Sequence, residues 1–167
     1  MASINGITIK SLKKFKGHEG EPLAQGNIYY KGKKLGFWSQ DSWGGSDSYD
    51  FDTSVLDAEV KKYKESDRVD PKHREYVDLD GLLYDLLNVT DSEKGYKKAI
   101  KGGWKTYVEA TDGFHVRGYY SPESDRARIE NSSFHKKFIK DSEKAFFKDA
   151  KIQISIYSEP ADFDIAV

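Results

Sequence analysis

Between residues 41 and 60 the chain carries Asp41, Asp47, Asp50, Asp52, Asp57 and Glu59 and no base, a balance of −6. Residues 1–40 carry seven Lys against two Glu, a balance of +5. Carboxylates packed this densely in sequence could hold a hard cation, which wants several oxygen ligands. The spacing fits no calcium-binding loop, because the glycine and the closing glutamate are absent from their required positions. A two-metal nuclease would set a lysine or histidine beside paired acids, but lysines are too frequent here for their presence to mark such a site. His18, His73, His115 and His135 are scattered, and none has a second ligand at the spacing of a zinc site. No Gly-x-Ser-x-Gly turn marks a nucleophile, and Gly17-x-x-Gly20 and Gly44-Gly45 fit neither a phosphate loop nor a dinucleotide fingerprint. These residues point away from catalysis, metal and cofactor and toward recognition.

The recognition surface expected from the sequence is acidic and aromatic, built from Asp41, Trp43, Asp47, Tyr49, Asp50, Asp52, Asp57 and Glu59. Trp43 lies beside Gly44-Gly45 in a loop, where an exposed ring can anchor a partner. Trp38 and Phe51 are expected in the core. A row of acids can imitate phosphates to a protein whose bases bind nucleic acid, and would steer association in a salt-dependent way. A solvated acidic loop is the plainer alternative. The opposite reading takes Lys14, Lys16, Tyr30, Lys31, Lys33 and Lys34, with Lys10, Lys13, Phe15 and Tyr29, as a platform for single-stranded nucleic acid, in a direct nucleic-acid binder or a nuclease accessory protein. A third makes the chain a structural or homodimeric accessory domain.

With 167 residues, the chain is expected to form one α+β domain. The 11 Tyr, 9 Phe and 3 Trp must supply much of the buried area. A net charge of −1 from 27 bases and 28 acids excludes a uniformly basic or acidic molecule, so electrostatic function must be local. The absence of cysteine excludes disulfides and thiol chemistry and suits a reducing, cytoplasmic setting. No apolar run approaches the about 18 residues of a membrane span, and Met1-Ala2-Ser3-Ile4 does not read as a secretion signal.

The elements that would position these residues follow from turn and periodicity signals. Residues 1–52 read as strands: Asn5-Gly6 is a tight turn before Ile7–Leu12, and Leu23–Tyr30 and Lys34–Ser39 form a hairpin about Lys31-Gly32-Lys33. Tyr49-Asp50-Phe51-Asp52 alternates as a strand with both acids facing outward. Residues 53–103 read as helical. The first helix is capped by Thr53 or Ser54 and turns Val55, Leu56, Val60 and Tyr63 inward. After a loop over Ser66–Tyr76, a core helix carries Leu82, Leu83, Leu86 and Leu87, and a separate third helix starts at the capping-box spacing of Thr90-Asp91-Ser92-Glu93. Residues 104–158 read as strand, helix and strand. A hairpin, Trp104–Ala110 and Phe114–Tyr120, turns at Thr111-Asp112-Gly113, with a third arm at Arg126–Glu130. A fourth helix lies between Ser132 and Ala150 on Phe134, Phe138, Ile139, Ala145 and Phe146, and Ile152–Tyr157 is a strand. Residues 159–167 are expected to be a mobile acidic tail. Without a repeating βαβ rhythm the sheet should be mainly antiparallel, with three to four helices.

The run Phe15-Lys16-Gly17-His18-Glu19-Gly20-Glu21, then Gln25-Gly26-Asn27-Ile28-Tyr29, Gly32-Lys33-Lys34-Leu35-Gly36 and Asp41-Ser42-Trp43-Gly44-Gly45, resembles the opening of small, mostly uncharacterised proteins of bacteriophages and integrated mobile elements. The resemblance covers about the first 45 residues. It implies a genomic setting in which small proteins inhibit host defence, anti-CRISPR proteins among them, by binding an effector in the bacterial cytoplasm. The implied partner is a host defence protein or ribonucleoprotein with a basic groove. The resemblance assigns no active-site residue.

Overall fold

In the computed structural model, which describes residues 1–112, 115–146 and 152–167, the chain is α+β with mainly antiparallel pairing. It runs β1 (Ser3–Ile4), β2 (Ile7–Lys16), β3 (Pro22–Tyr30), β4 (Lys33–Ser39), β5 (Ser48–Tyr49), α1 (Asp57–Glu65), α2 (Leu79–Lys101), β6 (Thr106–Thr111), β7 (Val116–Ser121), α3 (Arg126–Asn131), α4 (Ser133–Ala145), β8 (Gln153–Tyr157) and β9 (Asp164–Ile165). The chain forms two compact units, one of Met1–Thr90 with Phe163–Val167 and the other of Asp91–Asp162.

The first unit holds a six-stranded sheet in the order β5-β4-β3-β2-β1-β9. Two tight turns set its hairpins: Asn5 and Gly6 have φ of 51° and 76°, and Lys31 and Gly32 have 48° and 81°, the left-handed pair that matches strand twist. Two irregularities then break the alternation. Lys10 pairs with Asn27 but Lys13 pairs with Gln25, so two residues of β2 oppose Gly26 alone, and Ser11 takes a φ of 53°. Ile28 pairs with Gly36 but Tyr29 pairs with Lys34, which leaves Leu35 as the extra residue of β4. Each bulge reverses which face the following side chains occupy. Gly26 serves the first bulge, because a Cβ there would stand 2.8 Å from Ile9 Cγ2 and 3.0 Å from the Lys10 carbonyl oxygen.

Ile7, Ile9, Ala24, Ile28 and Trp38 share the buried face of this sheet. Leu56, Tyr63, Leu82, Leu83 and Leu86, from the helical part of the unit, add to its buried apolar residues. The Tyr30 hydroxyl donates to Glu59 of α1 at 2.7 Å, and the Tyr49 hydroxyl donates to Asp80 of α2, so both helices are tied to that face. The Tyr63 hydroxyl and the Arg68 guanidinium both bond Asp85, joining α1 to α2.

The second unit is a three-stranded antiparallel sheet, β7-β6-β8. Val108, Ile156 and Ile129 of α3 form its buried cluster, with Tyr119, Phe138 and Ile154 packed around them. Tyr120, Tyr107 and Tyr157 stand side by side across the three strands. The Tyr107 ring rests on two glycines, since an added Cβ would stand 2.7 Å from it at Gly95 and 2.5 Å at Gly118.

Several expectations are corrected. Of the expected strand Tyr49–Asp52 only Tyr49 lies in the observed strand, together with Ser48, and the Asp50 carboxylate turns back onto the Phe37 N–H. Asp52, rather than Thr53 or Ser54, caps the turn Thr53–Leu56, and Val55 is 48% exposed instead of inward. No new helix starts at Thr90. Its hydroxyl donates to the Leu86 carbonyl while Ser92 donates to Glu109, so the helix runs through. Arg126–Asn131 is helical and capped by Asp125, not a strand. On α4, Phe134 and Ala145 face out, while His135 and Ser142 are buried. The expected mobile tail is ordered: Phe163 is fully buried and β9 pairs in parallel with β1. Gly113 and Phe114 of the expected hairpin, Phe147–Ala150 at the limit of the expected fourth helix, and Lys151 lie outside the described residues.

Candidate functional site

The acidic segment leaves β4, loops through Asp41–Ser46, forms the edge strand β5 and enters α1. Its first ring, Trp43, is 74% exposed and stacks on His18 with centroids 3.9 Å apart. The two loops that present this pair are tied by the His18 N–H donating to the Ser42 carbonyl at 3.0 Å. Asp41 closes the loop by accepting from the Gly45 N–H at 2.7 Å, and Gly44 supplies the positive φ of 78° beside it. The result is an exposed aromatic pair on a braced loop.

The remaining acids are placed differently from one another. Asp47 accepts from Trp38 Nε1 at 2.7 Å, and Trp38 is fully buried, so this carboxylate satisfies a core indole. Burial pushes the Asp47 carboxyl above the usual aspartate range against the opposing Trp38 bond, and Asp80 and Asp78 add to the rise. Burial and the Asp80 bond likewise push the Tyr49 hydroxyl up, which keeps it a neutral donor. Asp50 is exposed but holds the Phe37 N–H. Asp52 accepts from the Ser54 N–H at 3.0 Å, and the Ser54 hydroxyl, with this N–H, lowers its carboxyl below the usual range. Glu59 is 5% exposed and accepts from Tyr30 and, at 2.9 Å, from Lys62. These two partners, Tyr30 first, hold it below the usual glutamate range. Asp57 alone in this set is exposed with no side-chain partner among the described residues.

The lysines divide by register. Lys14 pairs with Ala24, Lys16 with Pro22 and Lys33 with Tyr30, placing them on the side of the buried face at its margins. Lys31 occupies the hairpin turn with its ammonium 4.7 Å from the Tyr30 ring centre. The Tyr30 hydroxyl raises the Lys31 ammonium above its usual range. Lys34 pairs with Tyr29 on the opposite face, which Lys10 and Lys13 also occupy. The lysines therefore do not form the single group expected from their proximity in sequence. The bulges that separate them carry no glycine at Ser11 or Leu35 to announce them.

The second unit contains groups that motif spacing does not reveal. Tyr119 and His135 Nδ1 lie 2.9 Å apart, joining strand β7 to α4, and burial lowers the imidazole's basicity. Tyr119 lines a cavity of about 440 Å³ with Phe134, Arg128 and Glu123, while His135 lines another of about 360 Å³ with Arg126 and Glu130. Glu109 is buried, the single proton of the Ser92 hydroxyl is shared between its two carboxylate oxygens at 2.9 and 3.0 Å, and burial raises its carboxyl. A single histidine with a tyrosine can hold or pass a proton, but neither residue reaches a nucleophilic side chain in these bonds. Among the described residues no group of three or more His, Asp or Glu could hold a metal ion, and no helix is long and apolar enough to cross a membrane. No family model, curated protein or solved structure matches the chain.

Proposed function

We propose that the chain is a non-enzymatic binding protein of phage or mobile-element origin. In this reading it inhibits a nucleic-acid-handling defence complex of the host by docking a basic groove. The observation that carries the reading is the Trp43–His18 pair, an exposed indole stacked on a ring of the neighbouring loop and carried on a braced loop. Large, rigid, exposed rings are the side chains that most often anchor protein interfaces. Asp41 at the base of this loop and Asp50, Asp52 and Asp57 farther along supply the acidic border that would steer a basic partner. Asp47 and Glu59 are not part of this border, because they already serve Trp38, Tyr30 and Lys62.

Affinity capture from a bacterium with an active CRISPR nuclease tests the proposal, with Trp43→Ala as the variant and nuclease interference as the second readout. The wild-type chain should retain the nuclease at moderate salt and suppress interference, and Trp43→Ala should weaken capture at least about tenfold, as a hot-spot truncation does. Equal capture and inhibition by the variant would contradict it.

A further inference from the structure

The face of the six-stranded sheet opposite the core has its own composition. Register places Lys10, Asn27 and Phe37 in one row across β2, β3 and β4, Tyr29 and Lys34 in the next, Lys13 and Gln25 on the other side, and Phe15 beside Leu23 beyond them. Three lysines and three rings thus share one sheet face, with no acidic residue among the strand positions that face the same way. Without the bulge at Ser11, Lys13 and Phe15 would fall on the core side, and without the extra residue at Leu35 so would Lys34. Both irregularities re-aim side chains onto the same surface, a use for which bulges are suited.

Lys13 and Lys34 are exposed and Phe37 is 38% exposed. Lys10, Lys13 and Lys34 meet no carboxylate among the described residues, and the Lys10 ammonium instead sits 4.2 Å from the centre of the Tyr29 ring. That contact is weak at a half-exposed site and is replaceable by a phosphate for the lysine and a base for the ring. Asn27 stands opposite Lys10 and Gln25 opposite Lys13, each with an amide that can donate to and accept from a base edge.

We propose that this face binds single-stranded nucleic acid, with phosphates on Lys10, Lys13 and Lys34 and bases stacked on Tyr29, Phe37 and Phe15. Charge sets the occupant: ammonium groups in three successive rows, none of them met by a carboxylate among the described residues and interleaved with rings, match a polyanion whose every unit carries a flat face. The surface is a sheet face with no protruding element to enter a groove, so duplex is the poorer ligand. The inference is independent of the Trp43 reading, because it uses other residues and another ligand.

Fluorescence anisotropy with labelled dT15, U15 and a 15-base-pair duplex, from 50 to 200 mM salt, tests it on the full chain. Binding to a single strand should fall with salt at a log–log slope near about −2, as three phosphate contacts require. Lys13→Ala/Lys34→Ala should weaken binding at least about tenfold and reduce the slope by about 1.4. Phe37→Ala should weaken it roughly 5- to 100-fold with the slope unchanged. Lys14→Ala/Lys33→Ala, on the other side of the same strands, should stay within about twofold of wild type. Circular dichroism confirms that each variant is folded. Absence of binding at 50 mM salt, equal binding of duplex, or equal losses from the two lysine pairs would overturn the proposal.

Discussion

The acidic segment 41–59 and the basic face of strands β2–β4 have opposite charges and opposite relations to the fold. In the acidic segment, Asp41, Asp47, Asp50, Asp52 and Glu59 all accept hydrogen bonds from the chain itself. On the basic face, Lys10, Lys13 and Lys34 meet no acid among the described residues. A carboxylate can close turns, cap helices and satisfy a buried indole, because it accepts from backbone and ring N–H groups. An ammonium has only donors, and it stays on the surface of a strand unless an acid or a carbonyl meets it. The densest run of charge in the sequence is therefore mostly architectural, and the sparser lysines are the ones that remain available.

The largest effect should come where an acid serves the core. Asp47→Ala leaves Trp38 Nε1 without its acceptor inside the unit and should cost about 1–3 kcal/mol in denaturant unfolding. Asp47→Asn keeps an acceptor without the charge. Because the folded carboxyl lies above its ordinary 3.8, its contribution is most favourable at low pH and is lost as pH rises through the folded value. The Asn variant should therefore be at least as stable as wild type at pH 7 and lack that pH dependence. A loss of the same size for Asn and Ala would break the assignment.

Tyr30→Phe should have the next effect, about 1.5 kcal/mol, by removing a hydrogen bond to the buried Glu59. Here the sign is reversed. Glu59 is held below its ordinary 4.5, so its stabilisation is present above that value and disappears as pH falls through the folded one. The gap between Tyr30→Phe and wild type should close when unfolding is measured at progressively lower pH; a constant gap would show that the hydroxyl contributes packing rather than charge stabilisation. Asp57→Asn should have the smallest effect, under about 1 kcal/mol, because this exposed side chain acts only on the N-terminus of α1. A larger loss would mean that the segment contains no acid left over from the fold.

Much of the first unit is legible in the sequence because its turns are local. Asn5-Gly6 and Lys31-Gly32 determine two hairpins through backbone conformations that glycine permits, and the leucines 82, 83, 86 and 87 mark the helix that supplies buried residues. The bulges were not legible: a serine with positive φ and an extra leucine look like ordinary strand positions, yet they decide which lysines share a face. The Thr90–Glu93 quartet read as a helix start because capping and mid-helix back-bonding use the same residue types. The exposed loop position of Trp43 was legible from the adjacent glycines, but its stacking on His18 was not, since those residues are brought together by the strands between them. The internal roles of Asp47 and Glu59 likewise depend on partners in other elements, Trp38 and Tyr30.

The most direct test is to measure unfolding and nuclease capture on Asp47→Ala and Trp43→Ala side by side. The account predicts that Asp47→Ala loses stability, while capture by its folded fraction persists below its unfolding transition. Trp43→Ala should keep the wild-type unfolding midpoint and lose capture. The reverse pattern, a stable Asp47→Ala that no longer captures and a Trp43→Ala that captures normally, would contradict the division between acids that build the fold and a ring that meets the partner.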